Sequence, residues 1–280
     1  MNLARLASLI TNFKIFLLDL IFPRYCVGCR KELDSKSDFR SPTSRSPEVG
    51  LQVSKPDFSF ICETCFNKIN LARGLRCHVC GLRNPDGTCL PPRDVPKGHK
   101  NCRSKTALKG LYAAGHYQDP ILRELIHAFK YHSIENLKLP LAKLMISYIT
   151  KNHLTDKLSN SILVPLPLAL RRKINRGFNQ SELLAEELAI FLNCPVVNLL
   201  KRKKSSTPQA GISDWQKRKE NIAGAFELSP PYQQFYRFTK PIKVILVDDV
   251  STSGATLEEA ARVLKQVGFK EIYGLVVAKG

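Results

Sequence analysis

The sequence predicts an α/β protein, a parallel sheet covered by helices, with a small cysteine-rich module before it. From about residue 108 onwards, short apolar runs alternate with helical patterns, and this alternation is typical of a parallel sheet. Eight of the nine cysteines fall within the first 102 residues, where long apolar runs are few. We therefore predict an amphipathic helix over 1–22, a cysteine-rich module over 23–107 and a sheet domain over 108–280.

The sheet domain shows its elements as changes in hydrophobic periodicity. The predicted strands are 110–118, 161–168, 241–249 and 271–279, and the predicted helices are 120–132, 139–153, 181–192 and 257–268. The third helix has Ser181 as its candidate N-cap, because a serine oxygen can accept a hydrogen bond from an unpaired N–H of the first turn.

The cysteine spacing indicates zinc. Six cysteines form three C-x-x-C pairs, and the two thiolates of such a turn can reach one tetrahedral ion. Disulfides need an oxidising compartment, so zinc is the favoured interpretation. We predict one or two structural Zn²⁺ ions, with the pairing left open between sequential and crossed. The candidate ligands are Cys26, Cys29, Cys62, Cys65, Cys77, Cys80, Cys89 and Cys102.

The first residues and a polar insertion complete the N-terminal part. Residues 1–22 carry Lys14 and Asp19 within an apolar run and no cleavage site follows, which favours a helix packed on the protein in the cytoplasm over an exported or membrane-spanning segment. Docking to a membrane surface is the alternative. Residues 34–57 are Ser/Pro-rich and polar, which predicts a mobile insertion loop.

The charge of the chain indicates an anionic partner. The formal net charge is +19 over 280 residues. Such an excess favours phosphates, nucleic acid or an acidic membrane surface. It does not choose among them.

The stretch VILVDDVSTSGAT (244–256) predicts a binding site at the carboxyl end of a strand. Ligands of open α/β sheets bind at this edge. Asp248 and Asp249 end the apolar run, and the hydroxyl-rich loop behind them leads into a helix whose first N–H groups can hold a phosphate. Carboxylates beside a phosphate loop match a sugar phosphate. The sequence contains no G-x-x-x-x-G-K-[ST] and no G-x-G-x-x-G, which excludes the P-loop and dinucleotide motifs.

This stretch resembles the phosphoribosyl pyrophosphate motif of type I phosphoribosyltransferases. Two further stretches, 164–189 and 207–226, resemble the ComF family of competence-associated phosphoribosyltransferase-like proteins. The cysteine-rich N-terminal module is likewise typical of that family. The resemblance covers nearly the whole chain apart from 34–57, and it implies a type I phosphoribosyltransferase fold preceded by a zinc-binding module.

The resemblance also implies roles for individual residues. Asp248 and Asp249 are the candidate catalytic residues, which hold the ribose hydroxyls. Arg171, Arg172 or Arg176 would contact a pyrophosphate that carries Mg²⁺. The 5-phosphate loop comprises Ser251, Thr252, Ser253, Gly254, Ala255 and Thr256, and the residues matching the family pattern in a mobile lid are Gln209, Arg218 and Asn221.

Other basic residues near these motifs have two interpretations. Lys130 lies at a position resembling a family lysine, although a lysine on a helix surface is an equal alternative. The run KRKK (201–204) reads as a solvated basic face more readily than as part of a site.

Two functions stay open at this point. The first is an Mg²⁺-dependent phosphoribosyltransferase, for which no residue distinguishes an adenine, guanine, orotate or uracil acceptor. The second is a single-stranded DNA-binding component of natural transformation, whose phosphoribosyl site is regulatory or non-catalytic. The resemblance links the fold to DNA uptake and implies the uptake machinery at the inner membrane face as a partner. Whether the protein is an enzyme is left open.

Overall fold

The computed structural model describes residues 25–33, 60–77, 83–84, 106–131, 134–203, 222–230 and 243–280. Several predicted features lie outside these ranges: the helix over 1–22, the insertion 34–57, Gln209, Arg218, Asn221, Cys80, Cys89 and Cys102. Among the described helices, none has the length and apolar character that crossing a bilayer requires.

A six-stranded sheet forms the centre of the described structure. Its strands are β1 (Leu75–Arg76), β2 (Arg83–Asn84), β3 (Gly110–His116), β4 (Ser161–Pro165), β7 (Lys243–Ser251) and β8 (Glu271–Lys279). The strand order is β2-β1-β3-β8-β7-β4. The neighbours among β3, β8, β7 and β4 pair in parallel, whereas β1 is antiparallel to β2 and β3. The predicted parallel sheet is confirmed, and the cysteine-rich region adds two short strands to one edge.

A separate antiparallel pair, β5 (Leu200–Arg202) and β6 (Phe226–Leu228), stands beside the sheet. The described helices are α1 (Glu63–Lys68), α2 (Pro120–Tyr131), α3 (Lys138–Lys151), α4 (Thr155–Leu158), α5 (Leu170–Arg176), α6 (Gln180–Leu192) and α7 (Ala255–Gln266), and Glu135–Leu137 forms a 3₁₀ turn. The four predicted helices match α2, α3, α6 and α7. The other three are short and carry no extended helical period.

The central strand β7 has a hydrophobic layer on each face. Ile245 and Val247 belong to the core that packs against α2, α3 and α6. Val244 and Leu246 belong to the core that packs against α7, β5 and β6. Successive strand residues point to opposite faces, so a strand covered on both sides reads as one continuous apolar run.

Candidate functional site

The paired aspartates lie where β7 extends past its neighbour β4. The ladder between β4 and β7 ends at the pair Pro165–Val247. On its other side β7 stays paired with β8 as far as Ser251, so the strand ends two residues later than predicted. The aspartates therefore belong to an ordered strand while the side facing β4 opens into a cleft.

This cleft has a volume of about 500 Å³ and contains most of the described residues that were predicted for the site. The predicted residues that line it are Asp248, Asp249, Thr252, Ser253, Ala255, Thr256, Arg172, Arg176 and Lys130. Ser251, Gly254 and Arg171 do not line it. Ser251 is buried at the end of the β7 ladder, where its C=O accepts the Gly280 N–H at 3.0 Å.

Lys130 pairs with the second aspartate. Its Nζ lies 3.0 Å from Asp249 Oδ1, and Asp249 is only 6% exposed. A buried carboxylate requires a partner charge or hydrogen-bond donors. The lysine at the end of α2 is therefore part of the cleft, not a freely solvated residue of the helix surface.

Asp248 has a different environment. Its Oδ1 accepts hydrogen bonds from Ser181 Oγ and from the Asp249 N–H, each at 2.9 Å. Burial, together with the negative charge of Asp249, raises the pKa of Asp248 to about 7, although the two hydrogen bonds and Lys130 oppose this rise. At neutral pH a fraction of Asp248 is therefore protonated.

The loop between β7 and α7 ends in a glycine that is the N-cap of α7. Gly254 takes φ +76° immediately before the helix, a conformation that costs glycine little. The Ala255 N–H bonds to Ser253 Oγ at 3.3 Å, and the Glu258 N–H bonds to Gly254 O at 2.9 Å. The first N–H groups of α7 have no acceptor within the helix, and the hydroxyls of the loop lie beside them.

Two buried glutamates in the first turns of α7 connect this loop to other parts of the fold. Glu258 accepts the Ala107 N–H and Thr106 Oγ1, each at 2.6 Å. Glu259 accepts the Gly224 N–H at 2.7 Å and so fixes the segment that leads into β6. The helix that follows the loop is thereby held at both sides by charge-assisted hydrogen bonds.

Helix α5 supplies cations to the other side of the cleft. Arg172 and Arg176 line it, and the guanidinium of Arg176 lies 5.4 Å from the ring centroid of Tyr131. No residue of this helix is buried. Its cations therefore face both the cleft and solvent.

The sequence interpretation missed several residues that line the cleft, among them Gln180, Ser181 and Arg202. Arg202 of β5 lines the cleft, and its guanidinium lies 5.4 Å from the ring centroid of Phe226. Burial and the charge of Arg172 lower the pKa of Arg202, against the attraction of Asp248. Arg202 lies in the basic run 201–204, which was interpreted as a solvated face. In a strand, however, every second side chain of such a run points inwards.

The start of α6 also differs from the prediction. The helix begins at Gln180, and Asn179, not Ser181, is its N-cap; its side chain accepts the Ser181 N–H at 3.2 Å. The N-cap prediction for Ser181 is wrong because both side chains are suited to capping and only one is free for it. The Ser181 hydroxyl is used by Asp248 instead.

Four cysteines form a candidate metal centre. The Sγ atoms of Cys26, Cys29, Cys62 and Cys65 all lie within 4.8 Å of one another, and those of Cys26 and Cys29 are 3.6 and 3.8 Å from Cys62 Sγ. Zn–S bonds of about 2.3 Å place the corners of a tetrahedron about 3.8 Å apart. The four thiols therefore fit one zinc ion.

The backbone around the centre supports thiolates. The N–H groups of Cys62 and Cys65 point to Cys26 Sγ and Cys62 Sγ, at 3.3 and 3.4 Å. Burial raises the pKa of Cys26, but backbone N–H donors outweigh burial and lower it to about 7. Burial raises the pKa of Cys62 and of Cys65, so a bound cation is needed for four thiolates to coexist.

Two described cysteines, Cys77 and Cys194, lie outside this centre. None of the described cysteines forms a disulfide, and Cys77 and Cys194 are buried thiols. The other thiols proposed with Cys77 lie outside the described residues, so a second zinc site stays a prediction.

The metal centre packs directly on the sheet domain. Cys26 and Cys65 belong to the same hydrophobic core as α2 and α3. A Cβ on Gly28 would lie 3.0 Å from Cys65 Sγ and 3.3 Å from Ile121 Cγ2, and Arg30 pairs with Glu124 of α2 at 3.7 Å. The centre therefore braces the helix that carries Lys130.

Comparisons with known proteins agree with this architecture. A family model described as phosphoribosyl transferase domain matches residues 179–280. Competence protein F of Haemophilus influenzae is 31% identical over 224 residues, which cover 77% of this chain and 95% of that protein.

Two further relatives show the same extent of similarity. DNA utilization protein YhgH of Escherichia coli K12 is 28% identical over 216 residues, 74% of this chain and 92% of that protein. Competence protein ComFC of Bacillus subtilis is 28% identical over 218 residues, 78% of this chain and 82% of that protein. The match to Competence protein F covers nearly the full length of that relative. The chain, which contains the cleft and the four-cysteine centre, therefore belongs to the ComF family.

Proposed function

We propose that the cleft binds phosphoribosyl pyrophosphate together with the Mg²⁺ that its pyrophosphate carries. The observation that carries this proposal is the division of charge within one cleft. Asp248 and Asp249 form an acidic floor, the 5-phosphate loop lies behind them, and Arg172 and Arg176 face them from α5. A ligand with hydroxyls between two phosphate groups matches all three parts.

Each part has a separate task in this proposal. The carboxylates accept hydrogen bonds from the ribose hydroxyls, and the loop donates backbone and hydroxyl hydrogens to the 5-phosphate. The guanidinium groups of Arg172 and Arg176 can fork onto pyrophosphate oxygens. When bound with the ligand, Mg²⁺ would neutralise part of the pyrophosphate charge and so make pyrophosphate a better leaving group. In a reaction that displaces pyrophosphate from the ribose, the main contribution of the protein is preorganised charge of this kind.

Calorimetry with phosphoribosyl pyrophosphate and Mg²⁺ tests the proposal. The native protein is expected to bind, and Asp249→Asn to bind at least tenfold more weakly, because one charge-assisted hydrogen bond to a ligand contributes about 1.5 kcal/mol or more. Asp156→Asn is the matched control, since Asp156 is exposed on α4 and should leave the affinity unchanged. Absence of binding by the native protein would refute the proposal. Release of pyrophosphate in the presence of candidate acceptor bases then distinguishes transfer from binding alone.

A second function, binding of single-stranded DNA, is supported by the outer face of α5. This seven-residue helix carries four cations, buries no side chain and leaves Leu170 and Ile174 exposed. Tyr131, 64% exposed, lies against Arg176 beside it. Cations that follow a backbone and aromatic rings that stack on bases are the features that bind single strands. The names of the relatives, which refer to competence and DNA utilization, support a role in DNA uptake. We propose that the protein has this role in the cytoplasm, at the inner membrane face.

Salt titration of binding to a labelled oligonucleotide tests this second function. Affinity is expected to fall steeply with salt, and the double variant Arg171→Gln/Lys173→Gln is expected to reduce that slope by roughly 1 to 1.5 because single strands give about 0.7 per phosphate contact. Lys265→Gln/Lys270→Gln removes the same charge where α7 leads into the amino end of β8, whereas α5 follows the carboxyl end of β4. This double variant serves as the control. Equal slopes for the two double variants would refute this interface.

A further inference from the structure

We propose that the three consecutive residues Asn179, Gln180 and Ser181 are positioning residues, each of which fixes a different wall of the cleft. The proposal rests on the proposed ligand of that cleft. All three side chains are buried although all three are polar, and buried polar groups are normally retained with specific hydrogen-bond partners. Their partners are the turn after β4, an arginine of α5 and an aspartate of β7.

Asn179 holds the turn that follows β4. Its Nδ2 donates to Leu166 O at 3.1 Å, while its Oδ1 accepts the Ser181 N–H at 3.2 Å. Leu166 lines the cleft, and its own N–H donates to Val247 O at 3.0 Å. One amide therefore joins the start of α6 to the turn, which a capping hydroxyl could not do because it is too short to reach both.

Gln180 holds Arg176. Its Oε1 accepts from Arg176 Nη1 at 3.2 Å, and its Nε2 points to Phe129 O at 3.4 Å. Only 1% of Gln180 is exposed. Because a guanidinium can only donate, the amide oxygen must face Arg176 and the amide nitrogen must face α2. The arginine of one wall is thus tied to the helix that carries Lys130.

Ser181 holds Asp248. Its Oγ donates to Asp248 Oδ1 at 2.9 Å, and Ser181 is itself buried. The hydrogen bond fixes Oδ1 and so sets the orientation of a carboxylate that lines the cleft.

The three residues can point in three directions because of their place at a helix start. Asn179 has the extended backbone of an N-cap, φ −96° and ψ 112°, and the next two residues lie in the first turn. Successive side chains of a helix are about 100° apart. A single helix start thus sets the mutual positions of the pyrophosphate side, the ribose side and the turn between them.

The variant Asn179→Ser tests the first link. Serine is as good an N-cap as asparagine, so the helix cap is kept while the donor to Leu166 O is lost. We expect affinity for phosphoribosyl pyrophosphate with Mg²⁺ to fall roughly tenfold, measured at a temperature at which both proteins are fully folded because the loss of the donor to Leu166 O also lowers stability. Asn198→Ser, at an exposed asparagine, is the control that should match the native protein. Native affinity in Asn179→Ser would overturn this link.

The variants Ser181→Ala and Ser181→Thr test the third link without any ligand. Carboxyl NMR titration of the free protein should show a higher pKa for Asp248 in Ser181→Ala, since a hydrogen bond to the charged form is lost, and the native value in Ser181→Thr. An unchanged pKa in Ser181→Ala would overturn the link. If the native protein does not bind the ligand, the proposed function fails and the NMR result still decides whether Ser181 orients Asp248.

Discussion

The ion pair between Lys130 and Asp249 offers the sharpest single test of the cleft. Its two side chains are 20% and 9% exposed, with 3.0 Å between Nζ and Oδ1. An exposed ion pair contributes about 0 to 1 kcal/mol, whereas removal of one partner from a buried pair costs about 3 to 5 kcal/mol. The low exposure places this pair nearer the buried case.

The variant Lys130→Met keeps the length of the side chain and removes its charge. It leaves Asp249 beside Asp248 with no ammonium group, so we expect the free energy of unfolding to fall by about 2 to 3 kcal/mol. This is below the full buried value because Arg172, Arg176 and Arg202 also line the cleft and offset part of the loss.

The assay is denaturant unfolding of a double-mutant cycle. Lys130→Met/Asp249→Asn removes both charges and should recover at least about 1 kcal/mol relative to Lys130→Met alone. Lys151→Met, at an exposed lysine in the last turn of α3, is the matched control. A loss below about 0.5 kcal/mol in Lys130→Met would show that the pair behaves as a surface pair and would refute the reasoning.

Three further predictions concern the ligand, the metal and the loop. Affinity for phosphoribosyl pyrophosphate should rise from pH 6 to pH 8, because Asp248 has a pKa of about 7 and accepts hydrogen bonds from hydroxyls best when it is ionised. The charged groups near it are Asp249, Lys130 and Arg202. Calorimetry should show a weaker pH dependence of the affinity in Asp248→Asn, and an equal pH dependence would contradict the role given to Asp248. Purified protein should contain zinc by metal analysis, and Cys62→Ser should lose it with a lower melting temperature; a native protein without zinc returns the interpretation to disulfides. Glu259→Gln should destabilise the protein by about 1 to 2 kcal/mol, since the bond to the Gly224 N–H and the ion pair with Arg262 at 2.6 Å both lose the carboxylate charge. Thermal unfolding unchanged from native would count against both contacts.

Strands and helices whose hydrophobic pattern is set by residues close together in the sequence were predictable. The period of the apolar residues predicted the strand 271–279 and the four longer helices, because burial of one face or both imposes that period locally. It also predicted a strand over 110–118, which ends two residues earlier, at His116. The limits of the strands were less predictable, as at Ser251, because β8 continues the pairing after β4 has ended. Likewise, Asn179 and not Ser181 is the N-cap of α6, because the Ser181 hydroxyl bonds to Asp248 of β7.

By itself, the sequence determined the alternation of strands and helices, the two carboxylates at the end of an apolar strand and the C-x-x-C turns. Only the tertiary structure decided which distant residues meet. The order β3-β8-β7-β4 places α2 and α6 beside β7, so Lys130 reaches Asp249 and Ser181 reaches Asp248. The tertiary structure also brings together, in one centre, two cysteine pairs that an insertion separates in the sequence. Periodicity follows from which faces each element buries, whereas the partners in a site follow from how the elements pack, and the spacing of residues along the chain does not by itself specify that packing.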